Sequence, residues 1–472
     1  MTSPVTLFHC TSPCCLGQVP VAAPTVRSLD PEPITRYDSI AMILDSICML
    51  PSVKDLLSEI EAPRRRTGRK GYSPVSMLRA FLSRFLTGSK NTQAFIRELK
   101  RSEGLRIACG LVNGVPHKST FSRFFAKLAE NTDALEIAQV ELVNAMRKYL
   151  PDLGLNLAID ATDIPAYANL RRQKESIPRE QRTDVDADWG YRTPKSKYGG
   201  GTGKRGGGAK MRDKNGDGHF DLFCGFKVHT VCDTKTGLPL GYIVLDARQS
   251  ESTELPNVLD KILGMHSDWL KPHYLMGDKI FDGEPSHDAV MKRGIVPIFD
   301  IKKPASKGPT KHPNRHKGGL YGPDGSPTCP DSEHTVMEYI RTVRESDGAI
   351  YHEYRCNPNG CPLKSRSSGA MLYCNRREIH REKVEEGNYW MQGPVARANP
   401  FWKELHDERP EVERLFSRLK DSRSLEALTY RGLPKVRVHV GLSVLGYLGT
   451  ALGRVREGRI DLIRTMTLED EF

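Results

Sequence analysis

Leu155–Asp163, LNLAIDATD, is the stretch whose reading decides the fold. Leu155, Leu157 and Ile159 alternate with smaller or polar residues, a period of two that predicts a β-strand with at least one buried face. Asp160 follows on the opposite face, and Asp163 comes next, where the strand is expected to end. A single acid at a strand end is ordinary turn chemistry, because Asp bonds its own backbone there. The stretch acquires meaning only through partners further along.

Two partners follow. His273–Gly277, HYLMG, is a second short apolar run; it ends in Asp278, with Lys279 and the turn Phe281-Asp282-Gly283 after it. In Arg409–Lys420, RPEVERLFSRLK, the apolar residues Val412, Leu415, Phe416 and Leu419 fall at i, i+3, i+4 and i+7, which predicts an amphipathic helix. Glu413 lies beside that stripe, with Arg409 and Lys420 on or near the same face. Two strand-end aspartates and a helix glutamate offer only oxygen ligands, which favour Mg2+ or Mn2+. Such a trio can hold two divalent ions that clamp the attacking and leaving oxygens of a phosphodiester.

These residues resemble the DDE transposases of bacterial insertion sequences, over a span from about Tyr72 to Leu452. The family's C-terminal signature is a Tyr, Arg, Glu and Lys separated by two, three and six residues; Arg409, Glu413 and Lys420 match it, and His406 stands where the family has Tyr. Asp160-Ala161-Thr162 resembles the segment of the first catalytic acid, with Asp163 as the competing candidate, and Asp278-Lys279-Ile280-Phe281 resembles that of the second. The resemblance implies a ribonuclease-H-like α/β core, a mixed sheet flanked by helices. Its catalytic and metal-binding residues would be Asp160, Asp278 and Glu413. It also implies cleavage and joining of DNA at terminal inverted repeats and target DNA, in a synaptic complex of two or more copies. Lys227 and His229 match a Lys-x-His element of the family and are expected near the active site on the DNA side.

Composition agrees with a polyanionic partner: 70 Lys and Arg against 58 Asp and Glu give a net charge of +12. At 472 residues the chain is expected to form more than one domain. The Pro-rich stretch 1–38, with Cys10, Cys14 and Cys15, is expected to be a disordered tail without an export leader. Val440–Leu452 is the most apolar segment elsewhere, too short and Gly-rich to span a bilayer. A cytoplasmic, nucleoid-associated protein with reduced or metal-bound cysteines is the expectation.

Residues 39–150 carry helical periodicity, with helix starts at Ser73-Pro74, Thr92 and Lys118, and are expected to form an all-α DNA-binding domain. Arg64, Arg65, Arg66, Arg69 and Lys70, set among glycines, suit a phosphate-tracking arm. The span 151–301 is expected to be the first part of the catalytic core. Within it 170–218 reads as a basic, Gly-rich loop whose Lys204 and Arg205 face DNA; lacking a strand before and a helix after, it is no nucleotide-binding loop. Leu222–Cys232 and Leu240–Leu245 predict a hairpin beside the Asp160 strand, and the helices and strands to Ile301 predict parallel pairing. An insertion, 302–400, brings Cys329, Cys356, Cys361 and Cys374, a candidate structural zinc site. Residues 401–456 are expected to complete the core, with a tail at 457–472. A non-catalytic DNA-binding regulator or a plain nuclease are the alternative functions.

Overall fold

The structure is a computed structural model. It describes residues 36–61, 71–174, 176–192, 210–212, 219–301, 310–311, 320–322, 325–329, 332–356, 379–387 and 389–468. The basic residues at 64–70, Lys204, Arg205, Cys361 and Cys374 lie outside the described residues.

Helices come first: α1 (Arg36–Cys48), α2 (Pro51–Ile60), α3 (Pro74–Leu86), α4 (Thr92–Arg101), α5 (Glu103–Ala108), α6 (Lys118–Glu130) and α7 (Thr132–Arg147). Their starts are chemically marked. Pro74 occupies the first turn of α3 while the Ser73 hydroxyl accepts from Ser76 N–H, and the Asn91 side chain caps α4 through Ala94 N–H. Phe81, Phe85, Phe121, Phe124 and Phe125 fill the space between α3 and α6.

The sheet is built from β1 (Asn156–Pro165), β2 (Asp188–Arg192), β3 (Lys210–Arg212), β4 (His219–Asp233), β5 (Pro239–Asp246), β6 (Tyr274–Gly277) and β7 (Val296–Phe299). Its core order is β5-β4-β1-β6-β7, with β2 and β3 added along the first half of β4. Strand β4 runs antiparallel to both β1 and β5, whereas β6 and β7 are parallel to β1. Helices α8 (Glu251–Met265) and α9 (Glu284–Met291) make the crossovers. This is the expected ribonuclease-H-like mixed sheet.

Two local expectations are corrected. Leu155 is 38% exposed and precedes the strand, while Leu157, Ala158 and Ile159 are all fully buried, so β1, the central strand between β4 and β6, is covered on both faces. The stretch 170–218 also contains strands, β2 and β3, because the long β4 outruns β1 and pairs with them.

The insertion is β-rich and separate from the main sheet: β8 (Thr310–Lys311) with β9 (Leu320–Tyr321), β10 (Thr328–Cys329) with β11 (Ser332–Val336), and a meander of β12 (Glu338–Arg344), β13 (Ile350–Arg355) and β14 (His380–Lys383). Helices α10 (Pro400–His406), α11 (Pro410–Ser422) and α12 (Leu433–Arg456) follow.

Helix α12 is longer than the apolar run suggested: 24 residues, sufficient in length and composition to cross a bilayer. Of its most apolar 18-residue window, 89% is instead buried within the protein. It packs chiefly against α7, α3, α6 and α1, and also against β5, so the helices and the sheet share one hydrophobic core. Close approach shapes its sequence. A Cβ at Gly449 would lie 2.8 Å from Ile47 and 2.9 Å from Ile43.

A buried ion network locks α11 to this frame. Glu411, with a side chain only 2% exposed, meets Arg418 at 2.7 Å, Arg414 at 3.2 Å and Arg464 at 3.4 Å. It sits under the β4–β5 turn, where Gly237 has φ +71° and any Cβ would come within 2.5 Å of the Glu411 carboxylate. Glu411→Ala removes three charge-assisted contacts while leaving arginines that water can still reach, so it is expected to cost about 2–3 kcal/mol in thermal unfolding. Arg414→Ala, at a side chain 61% exposed, is expected to cost about 0–1 kcal/mol. Equal melting shifts for the two variants would contradict this role.

Candidate active site

Register places the first two acids side by side. The parallel pairing of β1 and β6 ends at Ile159 opposite Gly277, and Asp160 and Asp278 are the next residues on the two strands. Asp160 is thus not at the end of its own strand, as its sequence suggested; β1 continues to Pro165 along β4, and the acid sits in the notch where β6 stops. The approach is tight. A Cβ at Gly277 would fall 2.8–2.9 Å from the rings of Phe299 and Phe281, so only glycine lets β6 deliver Asp278 from this position. Beyond it, the turn Lys279–Phe281 closes with Phe281 N–H donating to Asp278 C=O at 2.9 Å.

The third acid comes from α11, whose Val412, Leu415, Phe416 and Leu419 are buried against β1 and β4. That packing leaves Glu413 54% exposed over the sheet edge. Arg409, just ahead of the helix, joins the two elements. Its Nη2 lies 2.7 Å from Glu413 Oε1 and 3.8 Å from Asp278 Oδ2.

Asp160 shares this field. Burial and the charge of Glu251, with a smaller push from Glu413, raise its carboxyl to about 7; Ala161 N–H, donating to Oδ1 at 2.8 Å, and Arg409 pull the other way. Glu251, the first residue of α8, was not singled out in the sequence. Its half-buried carboxylate takes a bond from Lys227 Nζ at 3.2 Å and is raised by burial and by Asp278 against the pull of Lys227. Its only sequence signal is an acid opening a helix after a strand, where the helix dipole already favours one.

Other expected site residues are placed differently. Lys227 and His229 share a face of β4, but both are buried, so they do not form a DNA-facing surface. Burial and Lys227 push the His229 imidazole down to about 4, and neither ring nitrogen has a hydrogen-bond partner among the described residues. Asp163 is paired opposite Lys227, three residues beyond Asp160 on β1. Lys420 pairs with Glu426 at 2.7 Å. His406 stacks on Trp402 at 4.9 Å and meets Asp300 at 3.3 Å. Cys329 of the candidate zinc set is buried with Met337 and Tyr354, and two histidines of the same insertion are already engaged, His352 by Thr342 and Gly393 and His380 by Glu382. Among the described residues no three His, Cys, Asp or Glu side chains already close on one metal position. At the sheet edge Arg409 stands between Asp278 and Glu413.

Comparison with known proteins bears on this geometry. Residues 154–448 match the family model described as a transposase DDE domain, and residues 29–127 match one described as a transposase domain. No curated protein matches. Among solved structures, the chain is similar to piggyBac transposase in a cryo-EM synaptic complex with hairpin DNA, at 10% identity and a TM-score of 0.35, covering 92% of this chain and 79% of that one. With the first of these models spanning more than half of its length, the chain belongs to the DDE-domain transposases.

Proposed function

We propose that Asp160, Asp278 and Glu413 hold two Mg2+ or Mn2+ ions, and that the protein uses them to cut the ends of its own DNA element and join the freed 3′-hydroxyls to target DNA. Membership of the family gives the coarser statement, a transposase acting on DNA. One observation supports the finer reading. Two acids adjoin at the end of a parallel strand pair, and the third is tied to the second of them, Asp278, through a single guanidinium.

The donor set fits, since carboxylate oxygens select hard divalent cations. Bound there, the ions would supply activation of water and neutralisation of charge on the attacking and leaving oxygens. The chain supplies position. β1 and β6 hold Asp160 and Asp278 at neighbouring places, and Ala161 N–H orients one oxygen of Asp160. Arg409 steadies Glu413 at 2.7 Å and is close enough to exchange that carboxylate for a phosphate oxygen. Lys420, on the same helix, exchanges Glu426 for the DNA backbone in the same way. Two copies bringing two element ends together complete the reading.

Each of Asp160→Asn, Asp278→Asn and Glu413→Gln should abolish Mg2+-dependent cleavage of element-end DNA while changing end binding by no more than about twofold. Wild-type turnover in the Asp278 variant would sink the assignment. If all three variants retain biological function, the protein is a regulator; if the wild type cuts without joining, it is a nuclease.

The raised Asp160 carboxyl sets a pH dependence. Its folded value near 7 lies above the ordinary 3.8, so this group destabilises the metal-free fold progressively as pH rises between those values. Ion binding requires the carboxylate and so releases a proton below about 7. Calorimetric titration should show Mn2+ affinity climbing with pH up to about 7 and then levelling. Metal-free Asp160→Asn should melt above the wild type at alkaline pH, and a lower melting point would contradict the assigned strain.

A further inference from the structure

We propose that Glu251 is a fourth acidic residue of the metal site and that Lys227 is the cation that occupies its carboxylate when no metal is bound. This rests on the reading above and extends it to a residue outside the family's three acids.

The placement is geometric first. Helix α8 begins at Glu251 and packs against β4, β5 and the turn Lys279–Phe281 that directly follows Asp278. The Glu251 side chain is 14% exposed and that of Lys227 11%, with Nζ 3.2 Å from Oε1 and 3.5 Å from the Gln249 carbonyl. Lys227 in turn is the β4 partner of Asp163, three residues beyond Asp160 on β1. Two residues along the same face of β4, His229 is 1% exposed with both ring nitrogens unpartnered among the described residues. That enclosed face therefore presents polar groups that the described chain does not satisfy.

Charge supplies the second line. An enclosed Lys–Glu pair is poor value as a structural tie, because desolvating both ions offsets most of their attraction and an apolar pair of similar volume does as well. Placed beside the turn that directly follows Asp278, the pair makes physical sense if the carboxylate serves cations. Three carboxylates shared between two divalent ions leave one ion short of anionic side chains; a fourth, from a different helix than Glu413, removes that deficit. Lys227 competes with the ions for Glu251.

The two members of the pair therefore have opposite effects on metal binding, which a structural tie would not produce. Mn2+ binding to the metal-free full-length protein, by titration calorimetry and by the electron paramagnetic resonance of free Mn2+, tests this. Glu251→Gln should weaken Mn2+ binding about tenfold or more, or remove one of two ions, and Glu251→Asp should recover part of it. Lys227→Met should bind Mn2+ as tightly as the wild type or more tightly. Wild-type binding by Glu251→Gln, or equal weakening by both substitutions, would overturn the proposal. Asp160→Asn is the control: if it binds Mn2+ like the wild type, the three-acid reading has failed, whatever Glu251 does. Melting curves identify any variant that is unfolded, and Glu251→Asp, which keeps the charge, then decides.

Discussion

Carboxylates crowded at one sheet edge repel one another, and much of the structure is arranged to hold them there regardless. Asp160 shows the cost, its carboxyl pushed up to about 7 by burial and by neighbouring acids. Two cations offset the crowding from different directions. Arg409 reaches Asp278 and Glu413 from the start of α11, and Lys227 reaches Glu251 from β4. Such compensation is incomplete by design of the geometry, since a monovalent side chain between two acids leaves negative charge over. Divalent cations relieve that conflict better than any side chain can.

Holding repelling groups together requires a rigid support, and α12 provides it. Wrapped by α1, α3, α6 and α7 and touching β5, it makes the N-terminal helices and the main sheet a single packed body. Two contacts tie the segment before it to the helices: Tyr430 stacks on Phe125 at 3.8 Å, and the buried Arg84 donates to the Ala427 carbonyl at 3.3 Å. The Glu411 network does the same for α11 from the other side. Anything gripped by the N-terminal helices is therefore held at a fixed distance from the acids.

Much of this was legible in the chain because period and punctuation agreed. The helix expected over Arg409–Lys420 is α11, the Leu222–Cys232 and Leu240–Leu245 runs are the β4–β5 hairpin, and the run ending at Gly277 is β6. Asp160 and Asp278 each follow a short apolar run and Glu413 lies beside an apolar helix stripe, but it was the resemblance to a family motif that singled the three out together. What stayed hidden depends on register and tertiary packing. Alternation at Leu155–Ile159 could not reveal that both faces of β1 are covered, nor that β1 runs on past Asp160 along a strand far longer than itself. Lys227 and His229 were expected near the site on its DNA side, and nothing local shows that both are buried. The one signal Glu251 gave, an acid at a helix start, is common for reasons unrelated to metal.

The central claim is that the acids at the end of the β1–β6 pair are the metal site of a DNA transposase. The most direct measurement is an anomalous-difference map from crystals of the protein bound to its element-end DNA and soaked in Mn2+. The account predicts Mn2+ peaks bounded by Asp160, Asp278 and Glu413, beside the phosphate to be cut. Mn2+ located only elsewhere on the protein, with the three acids still tied up by Arg409, would contradict it.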